Sequence, residues 1–247
     1  MTATRRVGDL AILALAFLAF WQALNAAVGS TALPGPGPTL DYLAEFVTTP
    51  RFLESAAASA LAFAYALVLA YGIGLSIGIW LGAHHLAGAV GEPILVAVYS
   101  MPKITLYPVV LLIFGLGISG KVAFGALHGI LPVALLSMNA IRNVPPVLLK
   151  SARTMQLSRR QIIAHVLLPA TLPEVLSGLR IGFTTTLLGV VLAEMFASKR
   201  GLGFLMINAI STVQPEEMLS VAIVLFSFAA LANALLLWGE HQLHHRA

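Results

Sequence analysis

Long apolar runs separated by short polar breaks dominate this chain. An α-helix needs roughly 20 mostly apolar residues to cross a lipid bilayer, and runs of that kind recur along the sequence. They predict six spans, at residues 10–29, 55–82, 93–117, 122–141, 172–196 and 218–239. The pattern therefore predicts an all-α fold, a polytopic membrane helical bundle in which residues 1–247 form a single transmembrane domain.

Two features refine the first half of this pattern. The first run follows Arg5 and Arg6, as the core of a signal peptide would, but at about 20 residues it exceeds the usual 7–15, so we interpret it as a span. Residues 30–54 contain LPGPGP, which predicts a loop outside the hydrocarbon followed by a short amphipathic stretch.

The second run carries small residues at every fourth position. Ala70, Gly74, Gly78 and Gly82 would form a smooth stripe on one face of the helix, which permits close backbone contact in lipid. Tight packing inside one bundle is favoured over a dedicated dimer face.

The third run is interrupted by Met101, Pro102 and Lys103, and again by Pro108. Proline kinks a membrane helix, and a lysine at depth is costly unless it faces water or a partner. We therefore expect this region to line a cavity. The alternative is a surface kink from which Lys103 extends toward the membrane interface.

The composition agrees with a membrane protein. Hydrophobic residues make up 59% of the 247 residues and charged residues 10%, whereas soluble domains are near one half and one quarter. Cysteine is absent, which excludes disulfides, a thiolate nucleophile and Cys-based metal sites. The net charge of +4 comes from basic residues between apolar runs, which fits the positive-inside bias better than nucleic-acid binding.

The basic residues also predict an orientation. Six spans place both termini on one side, together with the polar segment 142–169. Nine basic residues fall on that side, namely Arg5, Arg6, Arg142, Lys150, Arg153, Arg159, Arg160, Arg180 and Arg246. Four fall on the other, namely Arg51, Lys121, Lys199 and Arg200. Both termini and residues 142–169 are therefore predicted to be cytoplasmic.

The residue pattern of segment 142–169 predicts two short helices. Pro145 and Pro146 can open a helix over residues 147–155, and the spacing of Ser158 and Gln161 predicts a capping box that starts a second helix over residues 159–168. Pro169 is expected to close that helix, and a second capping pattern at residues 171–174 to start the fifth span. The second helix is amphipathic, and its sequence alone leaves two roles open: lying on the lipid surface or inserting into a partner.

The same segment resembles the cytoplasmic loop of permease subunits of binding-protein-dependent ABC importers, whose usual pattern is E-A-A, three residues, G, nine residues, I-x-L-P. Residues 150–152 (KSA) stand at E-A-A, Gln156 at the glycine, Val166 at the isoleucine, and residues 168–169 at L-P. Residues 177–182 (SGLRIG), 191–195 (VLAEM) and 201–203 (GLG) also look like this family. The likeness is to the nitrate/sulfonate/taurine type and covers roughly residues 93–205.

This resemblance implies a type I permease-like fold and a transport role in a bacterial inner membrane. It implies a cytosolic ABC ATPase dimer, a second permease subunit expected to be an identical copy, and a periplasmic or extracellular solute-binding protein. ATP would bind only to the ATPase, so no cofactor is expected here. The substrate would be a small nitrate-, sulfonate- or taurine-like anion or a related small molecule. The residues implied in coupling to the ATPase are Lys150, Ala152, Arg153, Thr154, Met155, Gln156, Leu157, Ser158, Arg159, Val166, Leu168 and Pro169.

Two of these residues depart from the family pattern. Lys150 reverses the charge of the family glutamate, and Gln156 replaces a glycine that favours the turn between the helices. The expected mechanism is rigid-body alternating access, in which the ATPases push on the two short helices and the fifth span tilts.

Other polar positions are candidates for lining the pathway. These are Met101, Pro102, Lys103, Tyr107, Thr184, Thr185 and Glu194. Glu194 could instead pair with Lys199 or Arg200, and this pairing is favoured.

Competing functions find little support in the sequence. Residues 115–121 match most of a phosphate-binding loop, but Val122 replaces the Ser or Thr that holds magnesium, and residues 74–78 match a hydrolase elbow in mid-span. His241, His244 and His245 are expected to be a solvated tail and not a metal site. An ion-coupled secondary transporter without an ATPase remains the alternative, although it would call for several intramembrane acids or an inverted repeat.

Overall fold

The computed structural model describes residues 3–244, which form helices joined by short turns and contain no strand between those limits. In chain order the helices are α1 (Ala3–Val28), α2 (Pro36–Phe46), α3 (Pro50–Ala83), α4 (His85–Ser100), α5 (Tyr107–Phe114), α6 (Ile118–Arg142), α7 (Pro146–Thr154), α8 (Arg159–Ile162), α9 (Leu168–Ala197), α10 (Leu202–Ser211) and α11 (Pro215–His244). A 3₁₀ turn at Lys103–Leu106 precedes α5, and a π-helical turn at Ile163–Leu167 joins α8 to α9. The all-α prediction is confirmed.

Four helices in the described part of the chain are long and apolar enough to cross a membrane. They are Pro50–Ala83, Ile118–Arg142, the continuous helix Arg159–Ala197, and Pro215–Glu240. A fifth is possible if the bent pair α4 and α5 is one span, and the apolar part of α1, Ile12–Val28, is shorter. The described part of the chain therefore has four or five candidate membrane spans, whereas the sequence predicted six.

The third predicted span is broken. Helix α4 ends at Ser100, and the chain turns by 88° before continuing through the 3₁₀ turn into α5. Met101 is extended, with ψ of 139°, because the ring of a following proline disfavours helical backbone in the residue before it. A second proline, Pro108, lies in the first turn of α5, where its missing N–H costs little.

Helix α6 lies at the centre of the bundle, between α3 and α9. The small-residue stripe of α3 faces it: a Cβ on Gly78 would lie 2.6 Å from the Ala134 carbonyl oxygen, and one on Gly74 would lie 2.8 Å from the Val133 side chain. Helices α3 and α6 can approach this closely only because glycine has no side chain at these two positions. The prediction that this stripe serves packing inside one bundle is confirmed.

Helix α9 does not begin where the sequence predicted. Pro169 was expected to close one helix and Thr171 to cap the next, but the chain is helical without interruption from Arg159 to Ala197. The π turn stands just before Pro169, with the Leu168 N–H donating to Ile163 O, and its wider register relieves the ring clash that an α-helix would suffer. Thr171 Oγ1 donates to Leu167 O at 2.9 Å, so it bonds backward along the helix and caps nothing.

Four elements meet at the end of the bundle remote from α7 and α8. There α2, α10 and the first turns of α3 and α11 share an apolar cluster, hereafter the end cluster, of Phe46, Phe52, Leu202, Leu205 and Val221. Part of the predicted loop 30–54 is thus the ordered helix α2. Helix α1 contacts α2, and Trp21 Nε1 of α1 donates to Pro34 O, in the loop just before α2, at 2.9 Å.

Candidate coupling hairpin and polar clamp

Helices α7 and α8 form a hairpin, hereafter the coupling hairpin (residues 145–162). Pro146 occupies the first position of α7, where its missing N–H costs nothing, as predicted. The Leu157 N–H donates to Ala152 O at 3.1 Å and the Gln156 N–H to Arg153 O at 2.9 Å. These two bonds are those of a Schellman motif, which satisfies the last carbonyl groups of a helix. The motif therefore ends α7 and turns the chain.

Gln156 occupies the left-handed position of this motif, with φ of 55°. Glycine is preferred there because it has no Cβ to crowd the following carbonyl. The structure thus gives a physical reason for the glycine in the related loop pattern. It also shows that Gln156 keeps the turn and does so in a conformation that is costly for a side chain.

The predicted capping box is present at the start of α8. Ser158 N–H donates to Gln161 Oε1 at 2.8 Å, and Gln161 N–H donates to Ser158 Oγ at 3.4 Å. Because both ends of the turn are bonded in this way, the two short helices hold a defined angle.

Most residues predicted to couple to an ATPase are exposed. Leu157 and Val166 are half-buried and Ala152 is buried; the exposed ones are Lys150, Arg153, Thr154, Met155, Gln156, Ser158, Arg159, Leu168 and Pro169. Helix α7 packs against the π turn, and Ala152 is its buried residue. The hairpin therefore offers a surface of basic and apolar side chains on a small fixed frame.

The pathway candidates do not gather at one place. Met101 and Pro102 are exposed at the break after α4, and Lys103 lies beside them with Nζ donating to Tyr99 O at 3.0 Å. Thr184 and Thr185 bond backward to carbonyls of α9 through their hydroxyl groups. Lining of the pathway by these residues stays a prediction.

Tyr107 is buried, and its position does not fit a lining role. Its hydroxyl donates to Ala193 O at 2.7 Å, and its ring packs edge-on against Phe124 at 4.8 Å between centroids. The aromatic ring fixes α5 against α6 and α9. The sequence signal, an aromatic residue after a proline break, does not distinguish packing from lining.

Glu194 is fully buried near the end of α9 and pairs with a residue that the sequence interpretation missed. Lys121 Nζ lies 3.2 Å from Glu194 Oε1, so the predicted pairing with Lys199 or Arg200 is wrong. Arg200 contributes only its backbone carbonyl, which accepts from Lys121 Nζ at 2.6 Å. Since Glu194 has no accessible surface in the chain, its expected lining of a pathway is not supported by its position.

Two further donors complete this site. Ser59 Oγ donates to Glu194 Oε2 at 2.7 Å, and the Gly203 N–H donates to the same oxygen at 3.0 Å. Ser59 Oγ in turn accepts from the Leu202 N–H at 2.8 Å. We call Ser59, Lys121, Glu194 and these two N–H groups the polar clamp. The sequence signal for it was weak: its two charges each stand alone beside apolar runs, 73 positions apart.

A second buried acid lies at the same end of the bundle. Glu217 pairs with Arg51 at 2.9 Å and accepts from the Tyr42 hydroxyl at 3.3 Å, which joins α2, α3 and α11. Burial raises the pKa of Tyr42, and the neighbouring Glu217 carboxylate raises it further, so the phenol stays protonated and donates. The end cluster is thus flanked by two buried carboxylates with bonded partners.

A cleft of about 680 Å³ opens beside the polar clamp. Basic side chains at Lys121, Lys199 and Arg200 contribute to its lining, together with apolar residues of α3 and α6. Among the residues that the structure describes, no group of three or more His, Asp or Glu side chains could hold a metal ion. The His241, His244 and His245 side chains lie outside the described residues.

Comparison with known proteins gives consistent matches. The family described as "Binding-protein-dependent transport system inner membrane component" matches residues 70–246. The chain is 29% identical to the taurine transport system permease protein TauC of Escherichia coli, over 93% of this chain and 82% of that protein. It is 24% identical to the nitrate import permease protein NrtB of Synechococcus elongatus, over 78% of this chain and 73% of that one.

Two further likenesses bear on length and on fold. A "Probable ABC transporter permease protein" of Haemophilus influenzae is 33% identical over 62% of this chain, and the match spans 63% of its own length. A solved structure of the MetNI methionine ABC transporter in an inward facing conformation superposes with a TM-score of 0.59 at 20% identity, covering 74% of this chain and 93% of that one. At that identity the superposition speaks for the fold alone, and it agrees with the predicted permease-like bundle.

Proposed function

Because the chain belongs to the family of inner membrane components of binding-protein-dependent transport systems, we propose that it is the permease subunit of an ABC importer. In this role it forms a pathway for a small solute and couples that pathway to ATP hydrolysis in a separate subunit. The observation that carries the proposal is the coupling hairpin: a capped, exposed, basic turn continuous with a long apolar helix.

The hairpin suits docking to another protein better than lying on lipid. Met155, at the turn, is 71% exposed, and Gln156 is held in a costly left-handed conformation. Backbone strain of this kind persists where the surroundings specify one shape, as a docking site requires. Because α8 runs into α9 without a break, a push on the hairpin displaces the whole 39-residue helix.

The partners follow from this role. The chain works with a cytosolic ABC ATPase dimer that receives the hairpin, a second permease subunit identical to this one, and an external solute-binding protein. Residues 1–247 act as one transmembrane domain, with the hairpin and both termini in the cytoplasm. The excess of basic residues on that side supports this orientation.

The solute is a small anion of the nitrate, sulfonate or taurine type, or a related small molecule. Relatives named for taurine and nitrate support this class. The basic cleft beside the polar clamp also suits an anion, since Lys199 and Arg200 are exposed around it. Few cations lie within the spans, so affinity resides mainly in the solute-binding protein.

The proposal is tested by reconstituting the chain into vesicles with candidate ATPases and the solute-binding protein. Uptake of a sulfonate or nitrate that requires ATP is the expected result. Uptake driven by an ion gradient with no ATPase present would instead favour a secondary transporter, the alternative function.

A substitution isolates the hairpin's part in this activity. Replacing Leu157 and Arg159 together by Asp should release the ATPase, because it removes an apolar contact and reverses a charge on the exposed turn. The chain should remain folded in the membrane, since neither side chain is fully buried. Unchanged co-purification of ATPase with this variant would count against the hairpin as the dock.

A further inference from the structure

The polar clamp ties the far end of α9 to the start of α10. Glu194 stands one turn before the end of α9, and one of its carboxylate oxygens accepts directly from the N–H of Gly203 in the first turn of α10. Lys121 on α6 and Ser59 on α3 bond to the same carboxylate. Three helices of the bundle therefore meet α10 at one buried group.

The backbone around the clamp is packed so closely that two of its positions accept only glycine. A Cβ on Gly201 would collide with the Glu194 carboxylate, and one on Gly203 would collide with the Val191 carbonyl. Gly201 also has φ of +126°, which side chains rarely adopt. The short loop 198–201 is closed by the Arg200 N–H and carbonyl, both bonded to Ser198 Oγ. Movement at Glu194 must therefore move α10 with it.

The other side of α10 is fixed to the end cluster. Leu202 and Leu205 pack there against Phe46 of α2, Phe52 of α3 and Val221 of α11. Helix α10 thus lies between a polar joint to α9 and an apolar contact with the helices of the outer end. It therefore joins the outer end of α9 to α2 and to the first turns of α11, whereas α9 contacts α11 directly nearer the hairpin, where Arg180 lies 3.7 Å from Glu240.

The joint lies far from the coupling hairpin but on the same helix. From Arg159 to Glu194 the chain is helical throughout, a span of about 50 Å at 1.5 Å per residue. A helix of this length carries displacement along its axis, because its backbone groups are hydrogen-bonded along it, except opposite Pro169 and Pro173, which have no N–H. The hairpin and the clamp therefore lie at opposite ends of one continuous helix, so that movement of one end can displace the other.

We propose that the polar clamp is the joint that transmits movement of the coupling hairpin to α10, with Glu194 as a positioning residue for opening of the outer end. This rests on the proposed function, in which an ATPase moves the hairpin. The bonds to Gly203 and Ser59, and not the charge, carry the movement. A buried ion pair is often replaceable by apolar side chains without loss of stability, so stability alone does not account for this arrangement.

Two matched double variants separate the bonds from the charge. K121M/E194Q removes both charges and keeps a side-chain oxygen that can accept from Gly203 and Ser59. K121M/E194L removes both charges and the acceptor at similar volume. In vesicles with the ATPase and the solute-binding protein, the number of solute molecules moved per ATP should stay close to the unsubstituted value in the first variant. In the second it should fall about tenfold or more.

A second measurement reports on α10 itself. The chain has no cysteine, so Ile210→Cys, exposed on α10, is the single thiol. Its rate of reaction with a water-soluble maleimide should change on addition of ATP and vanadate in the K121M/E194Q background and stay constant in the K121M/E194L background. A structural role alone would shift the unfolding temperature of these variants without separating their nucleotide response.

The possible results test the clamp and the proposed function separately. Equal solute-to-ATP ratios and equal thiol responses in the two double variants would overturn the proposal. If K121M/E194L fails to fold, Ser59→Ala decides, because it removes one bond to Glu194 and the acceptor for Leu202 N–H, and an unchanged ratio there overturns the proposal. Absence of ATP-driven uptake by the unsubstituted chain would count against the proposed function. Normal uptake with identical ratios in all variants would count against the clamp alone.

Discussion

Replacing Gln156 by glycine should strengthen the coupling hairpin. The left-handed conformation costs a residue with a side chain about 1–2 kcal/mol, and Gln156 holds it with φ of 55°. Glycine avoids that cost but loses more backbone freedom on folding, which offsets about 0.5–1 kcal/mol. The net gain expected in local stability is about 0.5–1 kcal/mol.

Hydrogen exchange measures this gain where it arises. The Leu157 N–H bonds to Ala152 O only while the Schellman motif is closed, so its exchange reports opening of the turn. A gain of 0.5–1 kcal/mol corresponds to exchange slowed by roughly two- to fivefold. Ser151→Gly, at an exposed position within α7, is the matched control and should speed exchange, because glycine weakens a helix interior.

A second site in the chain tests the same reasoning independently. Val213 holds the left-handed position after α10, with φ of 55°, and the Gln214 N–H bonds to Ala209 O. Because a β-branched side chain is crowded more than a linear one there, Val213→Gly should slow exchange of the Gln214 N–H more than Gln156→Gly slows that of Leu157. Unchanged or faster exchange in both variants would refute the reasoning.

Three further predictions concern the frame that carries the site. Gly78→Ala should lower stability by about 1–3 kcal/mol because its Cβ meets Ala134 O, whereas Gly72→Ala, with open space around it, should not; thermal unfolding in detergent compares them. Arg51→Met leaves the buried Glu217 carboxylate without its cation and should cost about 3 kcal/mol, the lower end for a broken buried pair because Arg51 is half-exposed, read from the same unfolding curves. Ser158→Ala removes the capping box and should cost about 1 kcal/mol, seen as faster exchange at the Gln161 N–H.

Local patterns predicted the hairpin well. Pro146 at the first position of α7 and the bonds between Ser158 and Gln161 involve residues within a few positions of each other, so spacing alone predicts them. The resemblance to a glycine pattern also pointed to Gln156 as the turn, and the left-handed backbone is found there. The small-residue stripe of α3 was likewise readable, because a period of four places residues on one helix face.

Predictions were less accurate where the structure depends on more than neighbouring residues. Pro169 usually marks a helix end, yet the π turn before it lets the helix continue to Ala197. A proline signal concerns only the local backbone, whereas the gain from packing α9 along α6 extends over the whole helix. The packing of α9 along α6 therefore outweighs the local preference of Pro169, and the helix continues past it. The break after Ser100 shows the reverse case, in which the proline signal did end a helix.

The sequence by itself determined an apolar helical chain, its hairpin and the family to which it belongs, because hydropathy, capping and turn preferences are properties of short segments. The tertiary structure alone decided that Glu194 pairs with Lys121, that Tyr107 is packed inside, and that α10 is joined to α9 through one carboxylate. These contacts join residues 9 to 86 positions apart on different helices. A buried charge takes whichever partner the packed backbone brings within reach, and only the assembled bundle specifies that partner.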